Sequence, residues 1–71
     1  MAVNDELRLR TIVVSTRAAF AKGDRTRVKE RADQLLAEFA AAVLRDGADP
    51  EVLSAIEVAR RKLSNDELKG A

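Results

Sequence analysis

The side chains that could perform chemistry in this chain of 71 residues are carboxylates, hydroxyls, lysines and arginines, because the sequence has no His, Cys, Tyr or Trp. Two carboxylates can act as general acid and general base only in a desolvated cleft that separates their pKa values. Here the Asp and Glu residues fall at predicted helix ends or on predicted polar faces. We therefore expect no catalytic residue, no cofactor and no enzymatic activity.

Three carboxylates lie around one glycine and could suggest a site for a hard cation such as Ca²⁺. They are Asp46, Asp49 and Glu51, on either side of Gly47. The alternating acidic positions before the glycine and the bidentate acid after it, which an EF-hand requires, are missing. Helix capping and compensation of the helix dipole account for these acids, so we expect no metal site.

Basic side chains are concentrated between residues 8 and 31, where eight Lys and Arg residues accompany two acidic residues. Residues 32–71 carry five basic and eight acidic residues. Cations near a helix N-terminus oppose its dipole, so those that begin the second helix need another role. We expect a basic patch that docks an acidic protein surface. Its residues are Arg10, Arg17, Arg25, Arg27, Lys29 and Arg31.

Binding of nucleic acid is the alternative role for the basic patch, because arginine and lysine contact phosphates. The formal net charge of the chain is only +1. The second and third predicted helices also match a helix-turn-helix motif poorly. The recognition helix of such a motif would begin with Asp49 and Glu51, which repel a phosphate backbone. We therefore rank nucleic acid below an acidic protein as the partner.

Composition and hydrophobic spacing predict an all-α chain. Only two residues are aromatic, while helix-forming residues dominate. We predict three helices, at about residues 5–22, 25–45 and 50–63, followed by a short fourth turn at 65–68. Brief connections between helices favour an antiparallel three-helix bundle, which forms one domain over residues 1–71.

Capping residues set the predicted ends of the first two helices. Asn4 or Asp5 is expected to cap the first helix, and Gly23 is expected to end it as the C′ glycine. Asp24 is the expected N-cap of the second helix, with Thr26 as its rival.

The third helix has the clearest start signal. Asp49 followed by Pro50 combines a capping side chain with a proline at the first helical position, and Gly47 ends the helix before it. The residues Ser64 to Glu67 have the pattern of a capping box, which predicts the short fourth turn.

Apolar residues are more widely distributed around two of the helices than a one-sided surface helix needs. The ten residues from Leu35 to Leu44 contain one charge. The first helix has two apolar stripes on roughly opposite sides. The first stripe is Leu9, Ile12, Val13, Thr16, Ala19 and Phe20, and the second is Val3, Leu7, Val14, Ala18 and Ala21. Either the first helix lies between the other two in a monomer, or a second chain covers it.

We favour a homo-oligomer, most simply a homodimer, in which alanines let helices approach closely. Oligomerisation is also a common way to stabilise a chain this small when cysteines are absent. The predicted interface, on the first two helices, consists of Leu7, Val14, Ala18, Leu36, Ala37, Ala40, Ala41 and Leu44.

Together these features predict a small cytosolic protein–protein interaction or regulatory module. It would bind through an apolar helical face, and its basic patch would orient an acidic partner. The alternatives are a nucleic-acid-binding accessory protein and a small inhibitor, of the antitoxin kind, that folds on a larger target. The first residues lack the pattern of a signal peptide, and we expect no membrane partner.

Overall fold

The computed structural model describes residues 3–47 and 49–69, and these form three helices with no strand among them. The helices are α1 (Val3–Phe20), α2 (Arg25–Arg45) and α3 (Pro50–Lys69). Each helix contacts the other two. The molecule is elongated, with extents of 38 × 18 × 15 Å. The all-helical prediction is confirmed.

Helix α1 lies two residues earlier in the chain than its spacing predicted. Asn4 and Asp5 are inside the helix, so neither is its cap, although Asp5 still lies in the first turn, where the dipole favours an acid. The helix ends at Phe20, and the N–H groups of Lys22 and Gly23 both donate to the Ala19 carbonyl, at 3.0 and 3.1 Å. Gly23 does not have a positive φ, so its assignment as a C′ glycine was wrong.

Helix α2 has the predicted bounds and the predicted cap. The Asp24 carboxylate accepts the N–H groups of Thr26 and Arg27, at 3.0 and 3.4 Å. Thr26, the rival cap, instead lies within the first turn of the helix. After the helix, Gly47 has a φ of 101°, which an L side chain adopts only with strain.

Helix α3 starts where it was predicted to start, because Asp49 Oδ1 accepts the Glu51 N–H at 2.9 Å. It then continues without interruption to Lys69, so the prediction of a separate turn at 65–68 was wrong. The capping-box residues have no glycine or proline beside them to break the helix. Leu63 is fully buried, and Asp66 contacts the other two helices, so tertiary contacts favour a continuous helix.

The hydrophobic core is supplied mainly by α2 and α3. Its buried hydrophobic residues are Phe20, Ala32, Leu36, Phe39, Val43, Val52, Ile56, Ala59 and Leu63. Thus α1 contributes one of these residues and otherwise partly buried ones, namely Leu9, Ile12 and Val13. Thr16 is also buried, and its hydroxyl donates to the Ile12 carbonyl at 2.6 Å.

Helix α1 does not lie between the other two helices, because α2 and α3 contact each other directly. The first of its two apolar stripes therefore packs on the bundle, while the second has no helix of the same chain to cover it. None of the helices in the described residues is both long and apolar enough to cross a bilayer.

Candidate interaction surfaces

The second apolar stripe of α1 is exposed along its length, and we call it the α1 outer stripe. Its three large aliphatic side chains, Val3, Leu7 and Val14, are 70%, 53% and 59% exposed. Ala18 and Ala21 continue the stripe and are also exposed. A monomer seldom leaves such a row of apolar side chains in water, so this surface is a candidate binding site.

Helical geometry explains why this stripe faces away from the core. Two residues nine positions apart lie about 180° apart around an α-helix. Leu7 and Thr16 have this spacing, and so do Leu9 and Ala18. Because Thr16 is buried and Leu9 is partly buried against the core, Leu7 and Ala18 lie on the side of α1 away from the core, with Leu7 at the rim of the groove between α1 and α2.

Basic side chains border the α1 outer stripe. Arg10 follows Leu7 by three residues and precedes Val14 by four, so it lies beside both on the helix surface. Arg17 has the same relation to Val14 and Ala21. The ion pair between Arg10 Nη2 and Glu6 Oε1 is long, at 3.8 Å, and exposed. Since Arg17 is in turn paired with Asp66, the edge of the stripe carries charges of both signs.

Two further cations lie near the stripe. Arg8 and Lys22 are exposed, and neither forms an ion pair within 4 Å in the part of the chain that the structure describes. Lys22 comes four residues after Ala18, just beyond the end of α1. Arg8 follows Leu7 by one residue, about 100° around the helix, and lines the groove between α1 and α2 together with Glu38.

A second exposed apolar surface lies on α2, and we call it the α2 outer face. It consists of Ala37, Ala41 and Leu44, of which Leu44 is 57% exposed. Ala40, at its edge, is partly buried against the core. Leu36 was also expected at the interface, but it is 0% exposed and belongs to the core. It is therefore not available to a partner in this structure.

The structure separates the two parts of the predicted interface. Leu35 lies with Leu7, Ile12 and Phe39 along the groove between α1 and α2. Leu44 follows Leu35 by nine residues, so it points about 180° away from that groove. The α2 outer face and the α1 outer stripe consequently lie on different sides of the molecule.

Acidic side chains accompany the α2 outer face. Glu30 precedes Ala37 by seven residues on the same side of the helix, and Glu38 precedes Ala41 by three; both acids are exposed. Neither forms an ion pair within 4 Å among residues 3–47 and 49–69. Arg45 is a cation at the C-terminal end of the face. Arg27 lies on the same side, three residues before Glu30, and Glu38 also lines the groove between α1 and α2, so the face carries charges of both signs.

The predicted basic patch is divided by contacts inside the molecule. Arg25 Nη1 donates to the Asp66 carbonyl at 2.6 Å, and its guanidinium carbon lies 5.4 Å from the centroid of the Phe20 ring. Arg17 Nε donates to Asp66 Oδ2 at 2.7 Å. The last carbonyls of a helix have no partner within it, so Arg25 satisfies one at the end of α3. This hydrogen bond explains why a cation occupies the first turn of α2, where it opposes the helix dipole.

The other members of the patch do not form one surface. Lys29 has a side chain that is 14% exposed, and its Nζ is 2.7 Å from Asp33 Oδ1. Arg27 and Arg31 are exposed and lie with Val28 along the groove between α1 and α2. The sequence did not reveal that Arg25 binds the Asp66 carbonyl, because the two residues are 41 positions apart.

An open groove of about 860 Å³ lies between the N-terminal half of α1 and the C-terminal half of α2. Its lining combines apolar Leu7, Ile12 and Phe39 with the charged side chains of Asp5 and Arg8. Within the described residues, no three His, Cys, Asp or Glu side chains are grouped to hold a metal ion.

Two other exposed aliphatic side chains lie on α3. Val58 and Leu68 are 50% and 72% exposed, and they are ten residues apart. This spacing places them about 80° apart around the helix and about 15 Å apart along it, so they form no continuous stripe. Single exposed hydrophobic residues of this kind are ordinary on protein surfaces.

Comparison of the chain with protein-family models, with curated proteins and with solved structures gives no match.

Proposed function

We propose that this protein is a small interaction module that self-associates, with the α1 outer stripe as its principal binding surface. The observation that carries the proposal is the exposure of Val3, Leu7 and Val14 on the side of α1 opposite the core. Complete burial of an aliphatic side chain contributes about 1.5–3 kcal/mol, and these three retain more than half of their exposed surface. Covering them supplies a substantial driving force for association.

The small contribution of α1 to the core supports the same proposal. Phe20 is the only buried hydrophobic residue among those described in α1, whereas α2 and α3 each contribute four. A helix held by one face gains stability when a partner covers its other face. Self-association would thus stabilise the helix that the chain itself holds least.

We also propose that consecutive helices run antiparallel. Support comes from Arg25, at the start of α2, which contacts Asp66 near the end of α3. Near the start of α1, Leu7 lies with Phe39 and Ala42, toward the end of α2. Helix α1 is about 27 Å long, enough for a partner helix to lie along it.

The first experiment compares Val14→Glu with Val58→Glu, a matched valine of 50% exposure on α3. We expect the parent protein and Val58→Glu to associate as concentration rises, while Val14→Glu stays monomeric because its carboxylate would be buried at the interface. Light scattering behind size exclusion measures the masses, and circular dichroism checks that both variants remain helical. If the parent is monomeric up to millimolar concentration, the proposal is wrong.

A further inference from the structure

We infer that the junction of Asp46 and Gly47, just after α2, is a site of backbone modification at which aspartate converts to isoaspartate in the folded protein. The backbone nitrogen of Gly47 attacks the side-chain carboxyl carbon of Asp46. A C–N bond forms, one water leaves, and a succinimide ring results. Addition of one water then opens the ring to aspartate or isoaspartate. The reaction involves no oxidation or reduction and needs no cofactor, and the inference is independent of the proposed self-association.

Glycine after an aspartate favours this ring closure, because it places no Cβ beside the attacking nitrogen. Among the aspartates and asparagines of the chain, Asp46 alone is followed by glycine. The structure keeps the surrounding space open as well. Both residues are exposed, and no atom beyond the chain neighbours lies within 4 Å of the place where Gly47 would carry a Cβ. The attacking nitrogen is therefore unhindered.

Neither reacting group is held by another side chain or carbonyl. The Asp46 carboxylate forms no hydrogen bond or ion pair with residues 3–47 or 49–69, and the Gly47 N–H donates to no carbonyl in those ranges. The Asp46 N–H donates to the Ala42 carbonyl at 3.2 Å.

Ring closure requires Asp46 to rotate about ψ, which is 3° in this structure. The rotating bond follows the Asp46 N–H in the chain, so the hydrogen bond to Ala42 can persist. Gly47 can absorb the rotation because glycine adopts both signs of φ, and its φ is already 101°. The step therefore takes place between the helices and leaves the hydrogen bonds within them intact.

The other aspartates are held by their surroundings. The carboxylates of Asp24 and Asp49 accept N–H groups at the starts of α2 and α3, at 3.0 and 2.9 Å. Asp49 also precedes a proline, which has no N–H to lose. Asp33 and Asp66 lie within helices and pair with cations at 2.7 Å. Asp5 lies within α1 and precedes a glutamate. The fold thus restricts the reaction to the junction after α2.

The product has the same mass as the parent, so the experiment detects its chemistry. The full-length protein is incubated at neutral pH beside Asp46→Glu, which keeps a carboxylate but would have to close a larger ring that forms more slowly. A purified isoaspartyl methyltransferase with labelled S-adenosylmethionine then marks the isoaspartyl carboxylate. Electron-transfer fragmentation of the chymotryptic peptide 45–53 locates isoaspartate. We expect it at Asp46 in the parent, and we expect the label to fall to background in Asp46→Glu.

The same incubation in urea tests whether the fold leaves the site reactive. We expect the rate in the folded protein to lie within about tenfold of the rate in the unfolded chain, because an exposed junction between helices opens at little cost in free energy. Circular dichroism verifies that Asp46→Glu is helical. Isoaspartate that forms in urea but not in the folded protein would overturn the inference, and so would undiminished label in Asp46→Glu.

Discussion

At the scale of single residues, Arg25 shows how a locally unfavourable charge is used in the folded protein. A cation in the first turn of α2 opposes the helix dipole. Arg25 nevertheless donates to the Asp66 carbonyl at 2.6 Å and lies over the Phe20 ring. A charge-assisted hydrogen bond to a partly buried carbonyl outweighs the exposed dipole term. The side chain therefore joins the start of α2 to the end of α3.

We predict that Arg25→Ala destabilises the protein by about 1–2 kcal/mol, through loss of the hydrogen bond and of the contact with Phe20. Arg27→Ala is the matched control, because Arg27 is exposed in the same turn and its side chain makes no such contact. Its effect should stay within about 0.5 kcal/mol. Urea unfolding at one protein concentration measures both. Equal losses in the two variants would show that the Arg25 contact does not stabilise the fold.

At the scale of the elements, α2 and α3 differ from α1 in how much they bury. Helices α2 and α3 each have one strongly buried side, whereas the apolar residues of α1 face both the core and the solvent.

A second observation at the scale of the elements is that α3 is one continuous helix. Residues 64–67 carry a local start signal, yet α3 passes through them to Lys69. Helical structure there lets Asp66 contact both Arg17 and Arg25.

Because α3 is continuous, we can predict whether Ser64→Ala raises or lowers the free energy of unfolding. Inside a helix, Ser64→Ala should raise the free energy of unfolding by a few tenths of a kcal/mol, about the difference in helix propensity. If Ser64 capped a separate turn, the same change would instead cost about 1 kcal/mol. Ser54→Ala, at an exposed position within α3, serves as the propensity control. Thermal and urea unfolding followed by circular dichroism distinguish the two signs.

At the scale of the whole molecule, the residues that hold the bundle together are separate from the exposed apolar residues for which we propose a binding role. Leu36 and Leu44 lie on the same helix, eight residues apart, but one is fully buried and the other is 57% exposed. Eight residues rotate a helix by about 80°, which is enough to move a side chain from the core to the surface. A substitution at the exposed position should therefore leave the fold intact, whereas one at the buried position should not.

We predict that Leu36→Ala lowers the free energy of unfolding by about 2–5 kcal/mol, because it leaves a cavity among the three helices. A domain of this size has only a small margin of stability, so much of the variant should be unfolded. Leu44→Ala should change the stability of the monomer by less than about 0.5 kcal/mol. Urea unfolding at a concentration where the chain is monomeric tests the pair. Similar losses in both variants would contradict the separation of core from binding surface.

The sequence alone determined the helical class, the bounds of α2, the start of α3 and the capping roles of Asp24 and Asp49. These properties depend on residues within one helical turn of each other, so local spacing and side-chain chemistry suffice to predict them. The two apolar sides of α1 were likewise visible, because helical periodicity is a local property.

Tertiary structure alone decided which of those apolar sides is covered. The core uses Phe20 and Leu36, and it leaves Leu7 and Val14 in solvent. It also decided that Arg25 binds Asp66 and that α3 continues past Ser64, because both depend on residues brought together from distant parts of the chain. Local signals cannot rank two apolar faces or identify a partner 41 residues away, since burial depends on how the helices pack.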